Sequence, residues 1–182
     1  MPLLRPFRDY SEKDVINLFT FSGQTTKEQI VNKGTLVKVV GDGWRPDVEP
    51  TELLGSYGDF SVNNVQAQRY GTPAKVGLCG TGANEYPLGL TLFDIRELDE
   101  NGIPLKYNPR KAAELEACIS GQTVPIVTKG IFLYSGLTNV TGGAPIYAGS
   151  NGNITNVGPG KQVGIALGVT GVDGSCLIRL SI

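Results

Sequence analysis

Gln162-Val163-Gly164-Ile165-Ala166-Leu167-Gly168-Val169-Thr170 runs into Asp173-Gly174, and Ser175-Cys176-Leu177-Ile178-Arg179-Leu180-Ser181-Ile182 comes after it. Just before, Ala144-Pro145-Ile146-Tyr147-Ala148 runs into Asn151-Gly152 and then Asn153-Ile154-Thr155-Asn156-Val157. Asn-Gly and Asp-Gly readily take the positive φ angles that tight hairpin turns demand, so each dipeptide marks a strand pair. The period around them is two. Val163, Ile165, Leu167 and Val169 alternate with Gly164, Ala166, Gly168 and Thr170, and Cys176, Ile178, Leu180 and Ile182 alternate with Leu177, Arg179 and Ser181. An apolar face opposite a polar or small one predicts a half-buried antiparallel sheet, and no catalytic group is threaded through it.

Upstream, Lys33-Gly34-Thr35-Leu36-Val37-Lys38-Val39-Val40 is β-branched and alternating, which predicts a strand. Shorter strands are expected at 60–68 and 73–79, a longer one at 87–95, and another over 123–134 broken at Gly130. One helix is expected near 109–118, with Asn108 as cap, Pro109 at the first helical position and Gly121 past the end. The 25 glycines and 11 prolines, about a fifth of the 182 residues, suit a protein with many turns. The expected fold is therefore all-β: a small β-barrel or sandwich of antiparallel hairpins over 33–182, with one short inserted helix.

Residues 1–32 read differently. Apolar and proline clusters lead to Ser11-Glu12-Lys13-Asp14, a capping-box-like start of a short helix, and then to strand-like alternation at Phe19-Thr20-Phe21. Two readings compete for this N-terminal arm: cover for one edge of the chain's own sheet, or an extension that packs on another subunit. In the second, Leu3, Leu4, Phe7, Tyr10 and Phe19 are the partner-binding anchors, since aromatic and aliphatic side chains dominate interface energy.

The composition narrows the chemistry. There is no histidine, which removes the commonest general base and metal ligand and every His-dependent triad. The three cysteines, Cys79, Cys118 and Cys176, are far apart and outside any C-x-x-C, and they read as buried apolar residues of a reducing compartment. A net charge of −1 gives no electrostatic case for nucleic acid. No apolar run suggests a signal peptide or a membrane span, so synthesis in a cytoplasm is expected.

Four local motifs invite catalysis or ligand binding, and each has a plainer reading. Glu97, Asp99, Asn101 and Gly102 fall at positions 1, 3, 5 and 6 of a calcium loop, but Asn108 stands where a bidentate Glu is needed, which favours a charged hairpin turn. Gly158-Pro159-Gly160-Lys161 resembles a phosphate loop only in composition, because the residues after Lys161 are strand-like. Ser22-Gly23 and Ser120-Gly121 lack the context of a serine nucleophile. Cys79 sits in a glycine-rich loop without a visible activating partner. No catalytic, cofactor-binding or metal-ligating residue is expected, and the chain does not read as an enzyme.

The succession Gly143-Ala144-Pro145-Ile146-Tyr147, Asn151-Gly152-Asn153-Ile154-Thr155, Val163-Gly164-Ile165-Ala166-Leu167, Asp173-Gly174 and Ile178-Arg179-Leu180 resembles the small β-rich capsid decoration (cement) proteins of tailed bacteriophages. Lys111-Ala112-Ala113 through Ser120 to Gly130 is similar to structural proteins of large marine phages. Residues 42–58 and 96–122 fall outside the decoration-protein rhythm. The resemblance implies a structural virion protein on the outer surface of the capsid, often a homotrimer at local three-fold positions. It implies the major capsid protein as partner and lattice stabilisation as function, with no membrane or nucleic-acid partner and with the N-terminal arm adding a strand to the shell. The alternatives are a tail, baseplate or fibre-associated β module, and a trimeric β-barrel enzyme such as a nucleotide hydrolase.

Overall fold

The computed structural model describes residues 4–6, 11–22, 26, 28–41, 43, 74–119 and 121–182. Its strands in chain order are β1 (Leu4–Pro6), β2 (Val15–Ile16), β3 (Thr20–Phe21), β4 (Leu36–Val40), β5 (Lys75–Leu78), β6 (Gly89–Thr91), β7 (Asp94–Ile95), β8 (Ala117–Cys118), β9 (Ile126–Val127), β10 (Lys129–Ser135), β11 (Pro145–Ala148), β12 (Ile154–Thr155), β13 (Gln162–Ala166) and β14 (Ser175–Ser181). They form two six-stranded sheets and a two-stranded ribbon. The outer sheet has the order β1-β10-β14-β13-β11-β12 and the central sheet the order β2-β9-β6-β4-β5-β3, while β7 and β8 make the ribbon. All pairs are antiparallel except β3 with β5 and β7 with β8. The fold is all-β and sandwich-like, with open sheets rather than a closed barrel.

Burial explains the layering. Phe132, Tyr134, Ile146, Ile178 and Leu180 of the outer sheet share one apolar cluster with Leu36, Leu90 and Val127 of the central sheet. The opposite face of the central sheet is buried as well, where Val37, Val76 and Ile126 meet Phe19, Val31, Ile95, Cys118 and Val124. A sheet covered on both sides needs consecutive apolar residues, and Leu36-Val37 and Ile126-Val127 supply them. The chain passes from one sheet to the other at Thr128, whose N–H and hydroxyl both donate to Asp14 O, at 2.9 and 3.1 Å. The break in the 123–134 segment therefore falls at Thr128, and Gly130 lies inside β10.

The hairpins predicted from the turn dipeptides are present, with refinements. Asn151 and Gly152 both have positive φ, 54° and 75°. In the second hairpin only Gly174 does, at 75°. Gly174 N donates to Gly171 O and Gly171 N to Ser175 O, and Asp173 Oδ1 accepts from Ser175 N and Oγ. This is a type I turn closed by a left-handed glycine, the three-residue hairpin rather than the two-residue one.

The helix is shorter than its sequence signals. Asn108 caps α1 (Pro109–Glu114) by accepting from Lys111 N at 3.2 Å. The chain leaves the helix at Glu116, whose φ is 47°, and Ala117 and Cys118 become buried strand. Burying those two side chains, Cys118 within the second core, together with the Lys33–Glu116 ion pair at 2.7 Å, overrides the helical propensity of the stretch. Ser11 does cap, accepting from Lys13 N at 3.3 Å, but only a single 3-10 turn over Glu12–Asp14 forms before β2. The strand expected at 60–68 lies outside the described residues.

Candidate interaction surface

The described parts of residues 1–32 pair with the rest of the chain. β1 pairs with β10, β2 with β9 and β3 with β5, so the segment is stitched into both sheets. Leu4 and Phe19, two of the five named anchors, are buried in the chain's own cores, one in each. Within this chain these two side chains pack inward as cover. Leu3, Phe7 and Tyr10 lie outside the described residues.

The motifs that invited chemistry resolve into turns and core. Asp99 Oδ1 accepts from Asn101 N and Ile103 N, both at 2.8 Å, and these backbone bonds, that from Ile103 foremost, hold its carboxyl below the usual carboxylate range. A carboxylate oriented by its own turn in this way closes a loop rather than presenting oxygens to calcium. Among the described residues, no group of three or more Cys, Asp or Glu side chains is gathered as a metal site. Gly158–Lys161 is a bend between β12 and β13, and Lys161 reaches over the Tyr86 ring at 4.9 Å. Cys79 is fully buried, and desolvation with the nearby Glu85 charge pushes its thiol up, away from the reactive thiolate. Glu85 is itself occupied by Lys38 Nζ at 2.6 Å and by Gly80 N. Cys118 is pushed up to about 11 by burial alone. Ser22 N donates to Val76 O as part of the β3–β5 pairing, and Ser120 is outside the described residues.

A groove of about 750 Å³ runs beside α1 between Phe93, Leu105, Ala112, Ala113, Cys118 and Pro125. Asn17, Lys106, Gln122 and Thr123 also line it, Lys106 as the one amine or acid.

The surface that stands out is the outward face of the outer sheet. Cross-strand partners share a face, so the register defines it. Leu133 of β10 pairs with Leu177 of β14, and Leu167 N donates to Leu177 O at 2.7 Å, which gives a row of three leucines. The next row is Ile131, Arg179, Ile165 and Pro145, from β10, β14, β13 and β11. Arg5 of β1 lies opposite Leu133, and Lys129 opposite Ser181. Leu133, Leu177, Ile131 and Ile165 are only partly buried, and Leu167 is 41% exposed. Solvent-facing positions of a one-sided sheet are ordinarily polar; here the two middle rows are largely apolar, bounded by the Lys129–Ser181 and Ser135–Ser175 pairs. Three cations, Arg5, Lys129 and Arg179, punctuate the face, and these rows contain no carboxylate.

A bulge turns the later part of β13 onto this face. Ile146 pairs with Gly164 but Tyr147 pairs with Gln162, so Val163 is an extra residue in β13. Val163 turns into the core, and beyond it the phase reverses: Gly164 and Ala166 lie inward opposite Leu180 and Ile178, and Ile165 lies outward opposite Arg179. The expectation that Val163, Ile165, Leu167 and Val169 share one buried face is thus corrected. Val163 is buried, Ile165 is partly buried, and Leu167 and Val169 are exposed. The missed face had a signal in the sequence. Ile131-Phe132-Leu133-Tyr134 and Cys176-Leu177-Ile178 are continuous apolar runs, which mark strands apolar on both sides.

Among the described residues no helix is long and apolar enough to cross a membrane. Compared with known proteins, the chain matches no family model, and no curated protein is detectably similar to it.

Proposed function

We propose that this chain is a structural virion protein that binds the outer surface of a tailed-phage head and stabilises the lattice of its major capsid protein. The observation that supports the reading best is the outward face of the outer sheet, an apolar, cation-bearing surface on a β-sandwich, which is what a binding module needs and what a free-standing domain avoids. The resemblance of 143–182 to decoration proteins supplies the partner. Attachment at many repeated sites lets a modest single interface hold a shell by avidity. A homotrimer, matched to local three-fold positions, is part of the same proposal.

The test is cosedimentation of the purified chain with expanded heads stripped of it, with unexpanded procapsids as control. Saturable binding to expanded heads supports the role and gives the copy number per lattice site. Binding to isolated tails instead would relocate the protein within the virion, and binding to no virion part would overturn the proposal.

A further inference from the structure

The proposed function leaves open which surface docks and what chemistry it meets. Arg179 is the centre of the outward face, flanked in register by Ile131 and Ile165. Beside it lies a shallow pocket of about 270 Å³, lined by Gln162, Gly164, Ile165, Arg179 and Ser181. Gly164 contributes only backbone to it, and β13 and β14 approach so closely there that an added Cβ would collide with Arg179 O. Neither Arg179 nor Lys129 has an ion-pair or side-chain hydrogen-bond partner among the described residues.

We infer that the outward face of the outer sheet is the surface that meets the shell, and that the shell protein presents a carboxylate, set among apolar side chains, which enters the pocket beside Arg179. The inference rests on the proposed function and adds the docking surface and the chemistry of its partner. An arginine flanked on both neighbouring strands by isoleucines, with Gln162 and Ser181 beside it, can serve as an interface anchor: the apolar neighbours exclude water, and the guanidinium binds a carboxylate through two parallel hydrogen bonds. Charge complementarity also chooses among occupants. Arg5 already has the Asp173 carboxylate near it, but a second copy of this chain, paired face to face about a two-fold axis, would set Lys129 and Arg179 against the same cations, with no carboxylate in their rows to offset them. An acidic partner neutralises Lys129 and Arg179.

The experiment measures binding of the wild-type chain, Arg179→Glu, Arg179→Lys and the control Lys75→Glu to stripped, expanded heads by cosedimentation. Lys75 is an exposed cation on β5 of the central sheet, away from the face. Because Arg179 is exposed, the variants should keep the wild-type melting temperature, which is checked first. The expected result is a loss of affinity of roughly 30-fold or more for Arg179→Glu, a smaller loss for Arg179→Lys, which keeps the charge but not the fork, and none for Lys75→Glu. Wild-type binding should also weaken as salt rises from about 0.05 to about 0.5 M. If the wild type binds and folded Arg179→Glu binds equally well, this face is not the docking surface and the head-binding role stands without it. If the wild type does not bind heads, the role and the inference fall together. Self-association of the free chain that Arg179→Glu abolishes would assign the face to a second copy and overturn the inference.

Discussion

Raising the pH should dismantle this fold through Tyr134 in a way that can be isolated. The ring is 1% exposed, enclosed between the two sheets, and its Oη accepts from Ile154 N at 3.5 Å. Burial disfavours the phenolate and pushes its pKa from 10.0 up to about 12, with the Ile154 hydrogen bond opposing the shift. Below pH 10 the folded and unfolded chains both hold the proton, so stability does not depend on this group. Between pH 10 and about 12 the unfolded chain releases the proton and the folded chain keeps it. The unfolded state then binds fewer protons, and stability falls by about 1.4 kcal/mol per pH unit. Over the two-unit window the loss is about 3 kcal/mol, a large share of the stability of a domain this size. Above the folded pKa both states are ionised and the loss stops growing. The assay is urea unfolding, monitored by far-ultraviolet circular dichroism, for the wild type and Tyr134→Phe, from about pH 8 to about pH 12. Near pH 8 the phenylalanine variant should be less stable by about 0.5–1.5 kcal/mol, for the lost hydrogen bond. Near pH 12 it should be the more stable of the two, so the curves cross. Other alkaline titrations are common to both proteins and cancel in the difference. A difference between them that stays constant across the whole range would refute the burial of the phenol, and with it the packing of the two sheets around it.

Three further outcomes are expected. Gly174→Val should lower stability by about 1–3 kcal/mol because a β-branched residue is forced to a φ of 75°, and Asp173→Pro should do likewise by removing the carboxylate that Ser175 bonds; melting temperatures equal to wild type for both would disprove the turn geometry. Ile178→Ala, at a fully buried position between the sheets, should cost about 2–5 kcal/mol in urea unfolding; a loss below about 1 kcal/mol would show that the sheets are not closely packed there. Deleting residues 1–22 should unfold the chain or lower its melting temperature sharply, since β1, β2 and β3 and the buried Leu4 and Phe19 go with it; a truncated chain that melts like the full one would restore the segment as an independent arm.

The features determined by the sequence alone are local ones. Period-two alternation and the glycine turns specify the all-β class and both terminal hairpins, because φ preferences and side-chain pleat act over a few residues. The Asn108-Pro109 start of the helix is readable for the same reason. Cys79 and Cys118 can be read as packing residues because neither has a neighbour in sequence able to activate it. Tertiary structure decides everything that depends on a partner strand far along the chain. The helix stops short of Glu116 because Ala117 and Cys118 are buried and Lys33, distant in sequence, pairs with Glu116. Leu4 and Phe19 fill internal cores because β10 lies beside β1 and β5 beside the adjoining β3, although their sequence neighbourhood is equally consistent with a free arm. The candidate surface is the least legible feature of all. Its β13 part exists because one bulge at Val163 reverses the phase of that strand, and a one-residue shift moves every later side chain of the strand to the opposite face of the sheet. Alternation in a sequence defines two faces; only the register against β11 and β14 says which one meets the solvent.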